Sequence, residues 1–412
     1  MADAAAVGCV GALLSLGFST RLAAWVRARA RPGLERVVER GHAHVRLAQR
    51  FRSPVLDYFH AAAAALVSIE FYVTFLPLAI WSGHRRLGLQ LVILLSASLF
   101  AGNALKDVFC APRPAKALRV VKDPLTQHFA EEYGLPSTHA INSTVFAVHL
   151  IRYARRWADQ EGPGGAEWAR VPTLILAALC VEICFGRLYL GMHTPVDLAC
   201  GLAVAGVVLT SFGLATDAGL DHWVLEHVGL GPALALVAAA TTFGYPTPEM
   251  FTPSYGYSTY FVGVACGVLC GARSTASHLW PAFPAADPRA VIVEYPPASL
   301  GQLAARCAVG FTVTAVCMAL ASALASALVP RFHGLLRHAG LPFDVVDARG
   351  RPFGTGDAPR GPTGDGAWRL TLHAKTPTRL LTYFAVGWAV CDPSFRVMHS
   401  LGLLDTTATF AA

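Results

Sequence analysis

The chain has 412 residues, of which 54% are hydrophobic and only 14% charged, and its mean hydropathy is +0.47. That composition excludes an ordinary soluble globular domain and predicts a polytopic membrane protein. The formal charge of +7 is carried largely by arginines beside apolar segments, with no aromatic-interleaved basic module, so it points to a membrane surface and no nucleic-acid partner is expected.

Residues 4 to 19 are apolar but short, and Arg21, Arg27, Arg29 and Arg31 come directly after. They fit an uncleaved anchor, a signal-like segment without the usual basic n-region, or an interfacial helix. From Arg21 to Arg52 nine arginines accompany only two acids, Glu35 and Glu39, with Leu34, Val37, Val38, Val45, Ala48 and Phe51 interleaved. The pattern predicts an amphipathic helix lying on lipid headgroups, and sets residues 1–53 apart from the rest of the chain.

Apolar stretches then recur at 55–81, 87–105, 138–154, 171–186, 195–215, 232–245, 257–272, 305–330 and 378–401. Judged against the roughly 20 residues that a spanning helix needs, they predict an all-α transmembrane bundle of about nine spans. The linkers agree: Arg85-Arg86, the Gly- and Pro-containing Glu161 to Arg170, and the Gly/Pro-rich 349–366. No internal repeat is visible. Residues 54–215 are expected to form a core, and 216–412 to add helices and extramembrane loops. The ten cysteines lie scattered in apolar segments and read as small helix residues rather than disulfide or metal partners.

In this count the ends of the second and fourth spans and the starts of the third and fifth share one side, together with the N-terminal arginines. The opposite side carries Arg85, Arg86, Arg152, Arg155, Arg156 and Arg170. The positive-inside rule therefore does not choose the compartment.

Three polar motifs mark the shared side. The first is Lys106-x6-Arg113-Pro114, the second Pro136-Ser137-Thr138-His139, and the third Gly186-Arg187-x5-His193-x3-Asp197. His193 and Asp197 are four apart and share a face if helical, so the carboxylate can accept the Nδ1 proton and leave Nε2 free for nucleophilic attack. The alternative is a capping box, with Thr194 as N-cap, Pro195 opening the helix and Asp197 at its third position; both can hold at once. His139 opens an apolar run, where helix-terminal N–H groups favour a phosphate and the imidazole can act as acid and then base. Its alternative role is interfacial, with Ser137 or Thr138 capping the span. Lys106, Arg113 and Arg187 supply cations suited to the three equatorial oxygens of a transferring phosphoryl group. Snorkelling to headgroups explains most other arginines, but Pro112 and Pro114 fix the backbone around Arg113.

Order, spacing and membrane position agree, and the set resembles the signature of the type 2 phosphatidic acid phosphatase (PAP2) superfamily, Lys-x6-Arg-Pro, Pro-Ser-Gly-His and Ser-Arg-x5-His-x3-Asp. The resemblance implies Lys106, Arg113 and Arg187 as phosphate ligands and Ser137 and Thr138 as further phosphate contacts. It implies His139 as acid/base, His193 as nucleophile and Asp197 as its partner. Within the superfamily the chain is most similar to the sphingosine 1-phosphate and long-chain-base 1-phosphate phosphatases. That similarity rests on Arg52-Ser53-Pro54-Val55-Leu56-Asp57-Tyr58, Tyr133 to Ala140, Gly186 to His193, and Pro246-Thr247-Pro248. It covers roughly residues 50–272, and implies an endoplasmic reticulum membrane enzyme with a lumenal site. Thr138 departs from the superfamily glycine, as in this subgroup, and Gly186 from the serine, which removes one hydroxyl.

The expectation is a membrane phosphatase acting on a single-chain lipid phosphate through phosphohistidine, without cofactor and without metal, since no carboxylate cluster suited to magnesium lies near the motifs. The alternatives are a phosphatidate or other lipid phosphate phosphatase, a glucose-6-phosphatase-like enzyme, or a lipid-binding or transport protein with an inactive site. Asp57, His60, Glu70, His149 and Glu182 are polar residues in apolar segments, expected to face the bundle interior. Tyr255, Tyr257 and Tyr260 are expected at the membrane interface on the motif side.

Overall fold

The computed structural model describes residues 20–120, 132–160, 165–217, 237–238, 241, 245–246, 248–250, 252–279, 297–338, 343–346, 370–373 and 375–404. Residues 4–19, most of 232–245 and the 349–366 linker lie outside them. The described chain is helical: α1 (Thr20–Ala48), α2 (Pro54–Ala65), α3 (Ile69–Trp81), α4 (Arg85–Phe109), α5 (Thr138–Gln160), α6 (Gly165–Tyr189), α7 (Pro195–Asp217), α8 (Ser254–Leu279), α9 (Leu300–His338), α10 (Thr376–Cys391) and α11 (Pro393–Ser400). One departure from the all-α expectation is a pair of four-residue parallel strands, β1 (Phe343–Val346) and β2 (Leu370–His373). Their β-branched and alternating sequences, Phe-Asp-Val-Val and Leu-Thr-Leu-His, favour extended chain.

Among the described residues α4, α6 from Ala169, α7 and α9 as far as Phe332 are long and apolar enough to cross a membrane. Helices α2 and α3 make a fifth if the pair, bent by 47°, is one span. The bend has a local cause, because Ser68 caps α3 by accepting a hydrogen bond from the Phe71 N–H. The expected spans at 138–154 and 257–272 are helical, within α5 and α8. They are less apolar because they bury polar side chains inward: Asn142, Ser143 and His149 in α5, and Ser258, Thr259 and Thr275 in α8. The expected span at 378–401 is two helices. Pro393 opens α11, and the buried Asp392 at the junction accepts from Thr275 Oγ1 (3.0 Å) and Arg396 Nε (2.9 Å).

Helix α4 runs through the middle, buried on almost every side, and packs against α1, α3, α5, α7 and α8. A large apolar core joins Tyr72, Ile80 and Trp81 of α3, Leu91 and Leu95 of α4, Val268 and Ala272 of α8, and Phe395 and Met398 of α11. Among the described residues the most extensive helix pairing is α8 with α10. Gly263, Gly267 and Gly271 recur every fourth residue along α8, and with Gly387 they let the two backbones touch.

The N-terminal basic helix is only partly the headgroup helix expected. Trp25, Val37 and Leu47 of α1 are exposed, but Ala23, Val38 and Val45 are buried against the protein. Gly41 lies on the motif loop, where a Cβ would come within 2.7 Å of the Thr194 Cβ. Arg27 donates to the carbonyls of Asp107 (2.8 Å) and Val108 (3.1 Å), groups that the end of α4 leaves without helical partners. A charged pattern that reads as a solvated face thus also holds the C-terminus of α4.

Candidate active site

The motif residues sit at one end of α4, α5, α6 and α7. Lys106 lies in the last turn of α4, which stops at Cys110 in the left-handed conformation (φ 48°). The prolines at 112 and 114 beyond it cannot continue a helix. The turn carries Arg113 back over the helix ends, where it is buried. Gly134 closes the loop against it: its N–H donates to the Ala111 carbonyl (2.9 Å), and a Cβ there would stand 2.9 Å from the Pro112 carbonyl oxygen.

His193 is held by the turn between α6 and α7. Gly191 has φ +66°, and any side chain there would overlap the Leu118 carbonyl. The Met192 and His193 N–H groups both donate to the Arg187 carbonyl, at 3.1 and 3.3 Å. Val120 N–H donates to the Leu190 carbonyl (2.9 Å), joining this turn to the loop after Arg113.

Arg113 ties the site together. Its Nη1 donates to the Met192 carbonyl (3.0 Å) and to His193 Nε2 (3.3 Å), and its Nε donates to the Glu132 carbonyl (2.9 Å). A donor on Nε2 requires a lone pair there, so the proton of the neutral ring is on Nδ1. Burial, reinforced by Arg113, Arg187, Lys106 and His139, holds this imidazole well below the ordinary histidine value, and the ring is neutral.

Asp197 makes the capping contacts and stands near, but not bonded to, the His193 imidazole. Its Oδ2 accepts from the Thr194 N–H (2.7 Å) and hydroxyl (3.0 Å), which is the capping arrangement. The same oxygen stands 3.8 Å from His193 Nδ1, beyond hydrogen-bond length. His193 Nδ1, Asp197 Oδ1 and Arg187 Nε are buried and make no hydrogen bond among the described residues. Buried polar atoms without partners are uncommon and call for an explanation.

Ser137 and Thr138 are placed less directly than expected. Ser137 caps α5: its Oγ accepts from the Ala140 N–H (3.4 Å), while its own N–H donates to the Asp197 carbonyl (3.0 Å). The hydroxyl proton stays available to donate. The Thr138 methyl lies over Gly102 of α4, where a Cβ would approach it to 3.1 Å. His139 comes next, in the first turn, and the charges of Arg187, Lys106 and Arg113 act on it as they do on His193.

The sequence reading missed Glu132. Its buried Oε2 accepts from Lys106 Nζ (2.9 Å) and lies 3.4 Å from Arg113 Nη2, so one carboxylate bridges two of the three cations. The only sequence signal was a carboxylate four residues before Pro136, and nothing in spacing links it to Lys106.

The polar residues behind the site form their own cluster. His60 Nδ1 meets Glu182 Oε1 (2.5 Å), so Glu182 holds neither Arg187 nor Arg113. Tyr189 donates to Asp57 Oδ1 (2.9 Å), and its ring lies tilted at 45° to the His60 ring, 4.3 Å away. Gly186 faces His60, and a Cβ there would come within 3.3 Å of the His60 Cβ. The serine that the resemblance leads one to expect at 186 is thus replaced where His60 takes the space. His149 is buried beside Phe212, as expected for the interior. Glu70 is exposed instead, in the first turn of α3, where a helix N-terminus favours a carboxylate.

Residues 87–217 match the PAP2 superfamily. The chain is 35% identical over 256 residues, 61% of this chain and 60% of the relative, to lipid phosphate phosphatase delta of Arabidopsis thaliana. It is 30% identical over 263 residues, 62% of each chain, to a dihydrosphingosine 1-phosphate phosphatase of Saccharomyces cerevisiae. To the human sphingosine-1-phosphate phosphatase 2 it is 29% identical over 222 residues, 52% of this chain and 51% of the relative. The chain therefore spans about half to three fifths of the length of these relatives. The matched segment contains all three motifs, and residues 87–217 are a PAP2 superfamily domain.

Proposed function

We propose that this protein is a membrane phosphatase that hydrolyses sphingoid long-chain-base 1-phosphates to the free base and inorganic phosphate. The observation that carries the chemistry is the hydrogen bond from Arg113 Nη1 to His193 Nε2 (3.3 Å), beside two further cations. A phosphate drawn to Lys106, Arg113 and Arg187 would meet that nitrogen. Arg113 Nη1 turns from Nε2 to the phosphate and Nε2 attacks phosphorus. His139, protonated once the phosphate dianion offsets the charges of Lys106, Arg113 and Arg187, gives the lipid oxygen a proton as its bond to phosphorus breaks. Water next attacks the phosphohistidine, losing a proton to His139, and the N–P bond breaks to release phosphate. Asp197 stabilises the imidazolium that forms, after a small movement that brings Nδ1–H within hydrogen-bond length. Ser137 and Thr138 are assigned as further phosphate contacts.

The substrate class is drawn from the yeast and human relatives, whose names specify sphingoid base phosphates. The Arabidopsis relative is named only as a lipid phosphate phosphatase, which keeps phosphatidate as the second reading. We further assign about nine spans, a core over 54–215, and a site on the lumenal face of the endoplasmic reticulum membrane.

The test is release of inorganic phosphate from a panel of lipid phosphates by purified protein in detergent with excess chelator, compared with His193→Ala. Turnover of sphingosine 1-phosphate above phosphatidate, surviving chelation and lost in the variant, supports substrate, mechanism and nucleophile together. Preference for phosphatidate moves the substrate and keeps the mechanism. No turnover of any lipid by a folded protein would end the phosphatase reading.

A further inference from the structure

A carboxylate among phosphate ligands is an odd choice. Glu132 is buried with its Oε2 on Lys106 and beside Arg113, and its charge acts on Arg187 as well. A phosphate monoester carrying close to two negative charges, seated on the same cations, comes up against this carboxylate. In a pocket of low dielectric two anions that close repel unless a cation stands between or beside them. Lys106 and Arg113 are then engaged by the stronger ligand, and Glu132 loses part of its own pairing. A buried carboxylate so released needs a new counter-ion.

We infer that Glu132 is a specificity-determining residue: its carboxylate receives the ammonium group of a substrate that carries an amine close to its phosphate ester. This rests on the phosphatase reading above and deepens it. In a 2-amino-alkyl 1-phosphate the ammonium is joined to the ester oxygen through a two-carbon link, so it lies within reach of any group that borders the phosphate ligands. Glu132 borders two of them. A lipid phosphate lacking the amine draws Lys106 and Arg113 partly away from Glu132 and gives nothing in return, so it is disfavoured as an analogue that cannot pair with a buried polar group.

The experiment compares sphingosine 1-phosphate with its N-acetyl derivative, which has the same chain and phosphate but no charge on nitrogen. The wild-type protein is expected to favour the free amine in kcat/KM by at least about tenfold. In Glu132→Gln that ratio falls toward one, mainly through KM for the amine, while Glu132→Asp restores part of it. A fall of equal size on both substrates, or an equal rise on both, would overturn the inference, since either marks a carboxylate that only balances or occupies the cations. An unchanged ratio in a folded Glu132→Gln protein also overturns it and leaves the phosphatase reading intact. Release of phosphate from neither lipid by the wild type removes the reading itself, and the inference with it.

Discussion

Two regions of this protein bury residues of opposite kinds for opposite reasons. Along α8 and α10 the buried surface is glycine and backbone: a Cβ at Gly271 would stand 2.7 Å from the Trp388 carbonyl oxygen, and one at Gly267 would overlap that of Phe384. The gain there comes from close contact in a setting where lipid gives no hydrophobic drive between helices. At the ends of α4 to α7 the buried surface is Lys106, Arg113, Arg187, Glu132, His193 and Asp197. Packing cations together is unfavourable, and several polar atoms there have no hydrogen-bond partner among the described residues. The first region is built for stability. The second is held in place by turns and by Arg113, at a cost that the proposed chemistry would explain.

The sharpest way to break this contrast is at the imidazole. His193→Ala is expected to lower phosphate release by at least about 10³-fold with only a modest loss of resistance to unfolding in detergent, because Nδ1 contributes no hydrogen bond and Arg113 Nη1, on losing Nε2, keeps the Met192 carbonyl. A large loss of stability with modest loss of turnover would mean that His193 is structural.

The converse change is Gly267→Leu. The side chain has no room against the Phe384 backbone, so overpacking should cost about 1–3 kcal/mol or more in a denaturant titration. The fraction that stays folded should turn over substrate within a few-fold of wild type. A specific loss of activity at full stability would show that the seam and the site are coupled.

Asp197→Asn divides the two roles of that residue. Asparagine can still accept from Thr194 through its carbonyl oxygen, but it cannot stabilise an imidazolium. A fall in kcat of roughly 10- to 100-fold with little change in stability is expected. If instead kcat holds, Asp197 acts only as a helix cap.

The smallest effect is expected for Gly186→Ser. With His60 only 3.3 Å from the new Cβ, the restored hydroxyl should change kcat/KM by less than about threefold and stability by less than about 1 kcal/mol. A tenfold gain in phosphate affinity would instead show that the hydroxyl reaches the site and that His60 yields.

Much of this was legible in the chain. The helices of the core come from apolar runs near bilayer length, and counting crossings puts the ends of α4 and α6 and the starts of α5 and α7 on one side. The capping part of Asp197 can be read from Thr194-Pro195-x-Asp197, because capping is local; His193 stands in the turn before α7, so the helical i,i+4 relation to Asp197 does not apply. The three motifs are likewise read directly from the chain, and their resemblance to the PAP2 signature agrees with the family match over 87–217.

Only the tertiary structure could decide the rest, because it depends on what approaches across distance rather than along the chain. Glu132 meets Lys106 across 26 residues and Arg113 across 19. His60 takes Glu182, 122 residues away, so a carboxylate little more than a turn from Arg187 goes elsewhere. Helix α1, whose composition is that of a headgroup helix, turns Gly41 to Thr194 and its Arg27 to the end of α4. Periodicity fixes which faces are apolar and where helices stop, since those are near-neighbour energies. Which buried charge finds which partner is settled only when the helices have packed, since an ion pair in a dry interior is set by the few ångströms that folding alone determines.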